Sequence, residues 1–302
     1  MSDDATALLS GLIVATHGRH ALVETQQGER VLCHSRGKRT AVVVGDAVDW
    51  QRSTDEGVIE AIQPRRNLFF RQDEWRTKSF AANIDQILVL VSGEPMVSES
   101  QLSRALIAAS SAGIPARIGV NKIDLPATQE ALLRLAPYAT MGAHLVELAL
   151  KAQPETARAV LAPLLAARRT LLLGPSGTGK STLINLLLPR ADVAVGEISK
   201  ALKAGRHTTT ATSWYWLDET RSAAVIDSPG FQEFGLRHIK PDELAPCMPD
   251  LNAHLGGCRF HNCSHRHEPG CAVLKAAEAG LISAARMRVY GEIRAELEAT
   301  RW

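Results

Sequence analysis

Between residues 12 and 62, apolar and polar positions alternate in short runs broken by turn residues. Segments 12–16, 21–25, 30–34, 41–50 and 57–62 read as strands, with Gly18, Gln27-Gly28, Arg36-Gly37 and residues 54–57 between them. Five short strands at this spacing predict a small closed barrel of the OB-fold type. Residues 63–82 show no such pattern and read as a linker. The period then changes. Segment 84–91 is a buried strand, 99–111 has a helical period with small residues, and 114–120 is a second strand, the alternation expected of a parallel sheet covered by helices. Further helices are expected over 126–137, 154–167 and 183–188, and strands over 144–150, 170–173, 213–217 and 223–226. Residues 189–206 have little periodicity and read as a loop. The stretch 274–302 reads as helix, broken near Gly280.

Composition narrows the class without deciding it. The chain has 302 residues, enough for two or three domains, and 45% hydrophobic with 22% charged residues is globular composition. Lys and Arg number 34 against 32 Asp and Glu, so contacts with nucleic acid must come from local patches rather than from net charge. Arg36, Lys38 and Arg39 form one such patch; Arg65, Arg66 and Arg71, with Phe69 and Phe70 among them, form another. Two readings stand for both, single-stranded RNA binding by the barrel or a solvated loop and a contact with the linker. The apolar run 87–91 is too short to span a bilayer, and the acidic start Met1-Ser2-Asp3-Asp4 has no signal or transit pattern. A monomeric cytoplasmic protein without membrane contact is the expectation. Five cysteines, three of them between 258 and 271, suit a metal in a reducing compartment better than a disulfide framework.

The chemistry sits at strand ends. Gly174-Pro175-Ser176-Gly177-Thr178-Gly179-Lys180-Ser181-Thr182 follows an apolar strand and opens a helix, the context of a phosphate-binding P-loop. Glycines let the backbone N–H groups turn inward, Lys180 would reach the β- and γ-phosphates, and the Ser181 hydroxyl would ligate Mg²⁺. Asn121-Lys122-Ile123-Asp124 closes another strand. The Asp124 carboxylate can accept from the N1–H and N2–H₂ of guanine, donors that adenine lacks in this arrangement. Asn121 would brace neighbouring loops, and the Lys122 stem would cover the base. Asp227-Ser228-Pro229-Gly230 ends a third strand, where the Asp contacts Mg²⁺ and the Gly N–H meets the γ-phosphate. The tetrad precedes the P-loop by about fifty residues, the reverse of the usual GTPase order, so the domain reads as circularly permuted.

Cys258-x4-Cys263-x-His265-x5-Cys271 offers three thiolates and an imidazole for a closed tetrahedral Zn²⁺ site. His261 and His267 stand in the same run as alternative fourth ligands. Cys33 and Cys247 read as core residues. Arg286, Arg288 and Arg294 mark either an RNA-facing surface or a solvated helix face.

These residues together resemble the ribosome small-subunit-dependent GTPase A family (RsgA, also called YjeQ). The likeness runs from Val44-Gly45-Asp46-Ala47-Val48 through Ala81-Ala82-Asn83-Ile84-Asp85-Gln86, the permuted tetrad and P-loop, and Gly205-Arg206-His207-Thr208-Thr209-Thr210, to the cysteine run. The resemblance implies a GTPase that binds the 30S subunit late in its assembly and leaves after hydrolysis, with barrel and zinc domain on ribosomal RNA. It implies His207 as the group orienting water, because Phe231 stands where many GTPases have a Gln, and Thr209 as the switch threonine on Mg²⁺. The Ser-Ala pair that family members place against guanine is missing near Val146-Glu147-Leu148-Ala149. The expected architecture is an OB-fold barrel over 1–68, a permuted α/β GTPase domain over 69–236 and a zinc-binding helical domain over 237–302.

Overall fold

The computed structural model describes residues 8–36, 42–53, 56–188, 212–228, 231 and 234–299. The N-terminal strands β1 (Leu9–His17), β2 (His20–Glu24), β3 (Arg30–Ser35), β4 (Ala47–Gln51) and β5 (Gly57–Ile62) pair in the order β1-β2-β3-β5-β4. A further β1–β4 pairing closes the ring, with β3–β5 the parallel pair. Alternation places Ile13, Val23, Cys33, Val48, Trp50 and Ile59 in the interior, and closure removes the exposed edges that five short strands would otherwise present. The expected barrel is present. Its fourth strand begins at Ala47 rather than 41: Asp46, wholly buried, accepts the Val43 N–H and bends the chain into a turn there.

The expected linker is a hairpin instead. Strands β6 (Leu68–Gln72) and β7 (Thr77–Ala82) pair antiparallel. Phe69 and Phe80, both buried, pack with Phe234 at ring separations of 5.5–5.7 Å. Those aromatics gain their burial from a residue far along the chain, a contact that local periodicity does not carry.

The α/β unit follows the predicted alternation. It comprises β8 (Gln86–Ser92), α1 (Glu99–Ser111), β9 (Ala116–Asn121), α2 (Pro126–Thr140), β10 (His144–Leu148), α3 (Pro154–Leu165), β11 (Arg169–Leu173), α4 (Lys180–Leu187), β12 (Ser213–Trp216) and β13 (Ala224–Asp227). Strand order is β10-β9-β8-β11-β13-β12, parallel except for β12. All seven residues of β8 are buried, as an interior parallel strand requires. The P-loop strand β11 therefore lies mid-sheet although it comes late in the chain. Strand β12 also bonds to β1 at Ser213 and Ala15, joining barrel and sheet into one eleven-stranded surface.

After β13 come α5 (Pro249–Asn252), α6 (Ala272–Glu278) and α7 (Ala284–Glu298). The predicted break near Gly280 separates the last two, and the Ser283 hydroxyl caps α7 by accepting the Arg286 N–H. Helix α7 buries Arg286, Val289, Tyr290, Ile293 and Leu297, a 3–4 residue spacing that faces α1 and the metal loop. Among the described residues no helix is long and apolar enough to cross a membrane.

Candidate functional site

The carboxyl ends of β11, β9 and β13 bring the three predicted nucleotide motifs together. Gly174 leaves β11 at φ +144°, and a Cβ there would stand 2.2 Å from the Leu90 carbonyl oxygen. Gly179 caps α4 at φ +107°, and a Cβ there would stand 2.3 Å from the Asn121 amide nitrogen. Both positions exclude any side chain. Backbone N–H groups of residues 177–181 meet no acceptor among the described residues, and Ser181 and Thr182 lie in the first turn of α4. That is a ready cradle for an anion. Thr178 is buried and its hydroxyl donates to the Pro175 carbonyl at 2.9 Å, closing the loop on itself; Ser176 and Gly177 are exposed on its outer side.

Two charged groups, Lys180 and Asp227, stand at the cradle. The Lys180 ammonium donates to the carbonyls of Gly174 and Pro175. Burial pushes it below the usual lysine range, an effect that Asp227 opposes. Burial likewise pushes the Asp227 carboxyl up, opposed by Lys180. Each group is under-solvated in its charged form. A phosphate beside Lys180 and a cation beside Asp227 would relieve both, which is the donor set that a Mg²⁺-nucleotide calls for.

The tetrad is braced as its chemistry suggests. The Asn121 carboxamide, 3% exposed, donates to the Thr178 carbonyl at 2.9 Å and accepts the Leu150 N–H at 3.1 Å. One side chain thus fixes the P-loop against the turn after β10. Lys122 takes φ +64° and donates to the Glu94 carbonyl at 2.6 Å, while the Ile123 N–H donates to the Leu148 carbonyl at 3.2 Å. Asp124 is exposed, with no partner among the described residues. In the turn the Ala149 carbonyl accepts the Gln153 N–H at 2.8 Å, leaving the exposed N–H groups of Lys151 and Ala152 without acceptors among the described residues. They lie just past 146–149, the stretch that lacks the family's Ser-Ala pair. Sequence gave no sign of them, because a backbone donor has no residue signature.

Phe231 is 5% exposed and packs on Phe234 at 6.0 Å, lining a small cleft with Pro95, Gln101, Pro175 and Thr178. An apolar ring held there cannot orient water. His207, Thr208, Thr209 and Gly230, and with them the predicted loop 189–206, lie outside the described residues.

The four residues predicted as metal ligands converge. One ligand atom from each of Cys258, Cys263, His265 and Cys271 lies within 4.8 Å of the other three. His265 Nδ1 stands 3.6 Å from Cys258 Sγ and 3.4 Å from Cys271 Sγ, and those sulfurs are 4.0 Å apart. Edges of about 3.5–3.8 Å are expected of a tetrahedron with Zn–S near 2.3 Å and Zn–N near 2.0 Å, so the set fits zinc. His261 and His267 are exposed and outside the cluster, so His265 is the histidine that stands with the three sulfurs. The Leu274 N–H donates to Cys271 Sγ at 3.4 Å, capping α6 with a sulfur of the cluster.

Several basic residues serve packing. Arg65 forks onto buried Asp46 at 2.6 and 2.8 Å. Arg66 binds the Asp85 carboxylate and the carbonyls of Asn83 and Ile84. Phe69 is fully buried. Arg65 and Phe69 thus pack inward, whereas Arg66 makes these bonds while remaining exposed. Arg36 stays exposed while bonded to Glu60. Arg286 fits neither sequence reading. It is 3% exposed, forks onto Asp250 at 2.8 and 3.1 Å, donates to Ser103 Oγ at 2.8 Å and stacks over Tyr138 at 5.2 Å. It fastens α7 to α1 and α2. Arg294 also turns inward, bonding Glu298, the Pro241 carbonyl and the Tyr290 hydroxyl.

Comparison with known proteins agrees with this arrangement. A family model described as RsgA GTPase matches residues 62–237. A curated protein of Variovorax paradoxus (strain S110) named small ribosomal subunit biogenesis GTPase RsgA is 56% identical over 303 residues, covering 99% of this chain and 95% of that protein. A protein of the same name from Burkholderia pseudomallei (strain K96243) is 48% identical over 94% of this chain and 90% of its own length. The crystal structure of YjeQ from Thermotoga maritima superposes with a TM-score of 0.75 at 27% identity, over 98% of this chain and all of that one. That of YloQ, described as a circularly permuted GTPase, gives 0.71 at 24% identity over 100% and 99%, a likeness of fold.

Proposed function

The chain belongs to the RsgA GTPase family and is a circularly permuted GTP hydrolase; from that premise we propose that it acts in late maturation of the 30S ribosomal subunit. In this reading the GTP form binds the subunit, the subunit stimulates hydrolysis, and hydrolysis drives release. Its support is the full-length relationship, at 56% identity, to a protein named for small-subunit biogenesis. The observation that carries the GTP half is the Asn121 bridge, which holds P-loop and base-reading tetrad in one rigid unit. Barrel and C-terminal domain would contact ribosomal RNA, the protein working as a cytoplasmic monomer divided at 1–68, 69–236 and 237–302.

The residues divide the work. The N–H groups of residues 177–181 and Lys180 would hold the phosphates, and Gly230 would meet the γ-phosphate. Asp124 would read the guanine N1–H and N2–H₂, with the N–H groups of Lys151 and Ala152 free for its O6. Ser181, Asp227 and Thr209 would hold Mg²⁺, which when bound neutralises charge between the β- and γ-phosphates. Cys258, Cys263, His265 and Cys271 would hold a structural Zn²⁺ whose four positions are all filled by protein.

Since Phe231 cannot orient water, we assign that role to His207. His207→Ala is expected to keep GTP and 30S binding and the slow rate of the free protein. It loses the rate on subunits by roughly a hundredfold or more, the contribution of a positioned proton-transfer or water-orienting group. Single-turnover hydrolysis on purified 30S subunits measures this. An unaltered stimulated rate would move the role elsewhere, to Gln232 or a ribosomal group.

A further inference from the structure

Within the metal loop, one side chain that is not a ligand carries more backbone hydrogen bonds than any ligand does. Glu268 Oε1 accepts the Ser264 N–H at 2.6 Å, and Oε2 accepts the N–H groups of Arg266 and His267 at 3.1 and 3.2 Å. These donors flank His265, which sits at φ +58°, a left-handed conformation that a residue with a Cβ seldom takes. The chain thus wraps around a carboxylate, presenting successive N–H groups to it in the manner of an anion-binding nest. From the other side Tyr290, on α7, donates its hydroxyl to the Ser264 carbonyl at 2.8 Å. The result is a buried imidazole aimed at Cys258 and Cys271.

We propose that Glu268 is a positioning residue of the metal centre: its carboxylate holds the 264–267 backbone in the strained form that makes His265 the nitrogen ligand. It touches no metal and acts only through the loop. The fit of three sulfurs and one nitrogen is its premise, and GTP hydrolysis is not. Placement supports it: three backbone donors on one carboxylate bracket the left-handed residue that carries the imidazole. A glutamine cannot replace the carboxylate, because its NH₂ group would face N–H donors on one side.

The test uses the full chain with cobalt(II) as the probe metal, whose visible absorption bands report the ligand set. Glu268→Gln is expected to bind cobalt ten- to a hundredfold more weakly, the usual loss when a ligand's supporting partner is removed. Its spectrum should move from that of the parent toward that of His265→Ala, as the imidazole leaves. Glu268→Ala should go at least as far in both respects. A Glu268→Gln protein with cobalt affinity within twofold of the parent and an unshifted spectrum would overturn the proposal. That variant keeps the size of the side chain, so it decides the matter even where the alanine variant fails to fold. Weakened binding with a spectrum that keeps the parent's band positions would also overturn it, since the carboxylate would then support the fold without placing the histidine.

Discussion

Cys258→Ala, or removal of the metal by a strong chelator, unfolds the C-terminal domain while nucleotide binding persists. Four predicted ligands within fourteen residues would organise the proposed C-terminal domain of about 65, so that metal affinity is in large part folding energy. Structural zinc in small domains is worth on the order of 10 kcal/mol or more in apparent binding free energy, beyond what the remaining contacts can replace. The loss would spread in a defined direction. Cys271 caps α6, so its release frees that helix. Tyr290 holds the metal loop to α7, and α7 carries Arg286 onto Asp250 and Ser103 and receives Arg104 on Glu296. A buried guanidinium that loses its carboxylate costs about 3–5 kcal/mol, so α1 should loosen together with α7. Among the described residues the hydrogen bonds of Asn121 run to Thr178 and Leu150 and not into that network, so nucleotide affinity should survive. Limited proteolysis of the chelated protein with and without nucleotide reads both effects. Absence of stoichiometric zinc in carefully purified protein, or a C-terminal region as protease-resistant after chelation as before, would contradict the account.

Asp124→Asn exchanges the base. Loss of a charged, paired contact is worth about 2–4 kcal/mol, so GTP affinity should fall roughly 30- to 1,000-fold. Xanthosine triphosphate should gain, since its N1–H and C2 carbonyl match an amide. The structure sharpens the expectation. Asp124 is exposed and makes no bond among the described residues, so the substitution should leave thermal stability nearly unchanged, within about 0.5 kcal/mol. Asn121, two bonds deep in the scaffold, offers no such clean experiment. Equilibrium titration with the two nucleotides measures the exchange, and a mutant that bound GTP as tightly as the parent would show that Asp124 does not read the base.

The parts of this site that could be read from sequence are those whose chemistry is local. A phosphate cradle needs consecutive backbone N–H groups, so its glycines crowd into a few residues, and a metal knuckle draws its ligands from one short loop. Strand 84–91 is legible for a similar reason, since its run Ile87–Val91 is wholly apolar, as burial on both faces favours. What escaped was settled by distant partners. The hairpin β6–β7 gains its packing from Phe234, Arg65 is fixed by Asp46, and Arg286 by Asp250 and by Ser103, 183 residues earlier. A lone arginine reads the same whether it faces RNA, water or a buried carboxylate, and only tertiary structure separates the three. The turn at 149–153 escaped for another reason, since its available groups are main-chain N–H donors that any residue possesses.

The central claim joins a GTP-dependent state to one partner, and co-sedimentation tests it most directly. Purified protein is mixed with 30S subunits and a non-hydrolysable GTP analogue, with GDP, or with the matching ATP analogue, and each mixture is centrifuged through sucrose. The account predicts that the protein travels with the subunit in the GTP analogue and stays at the top of the gradient in the other two. Equal association in all three mixtures, or none with the GTP analogue, would contradict it.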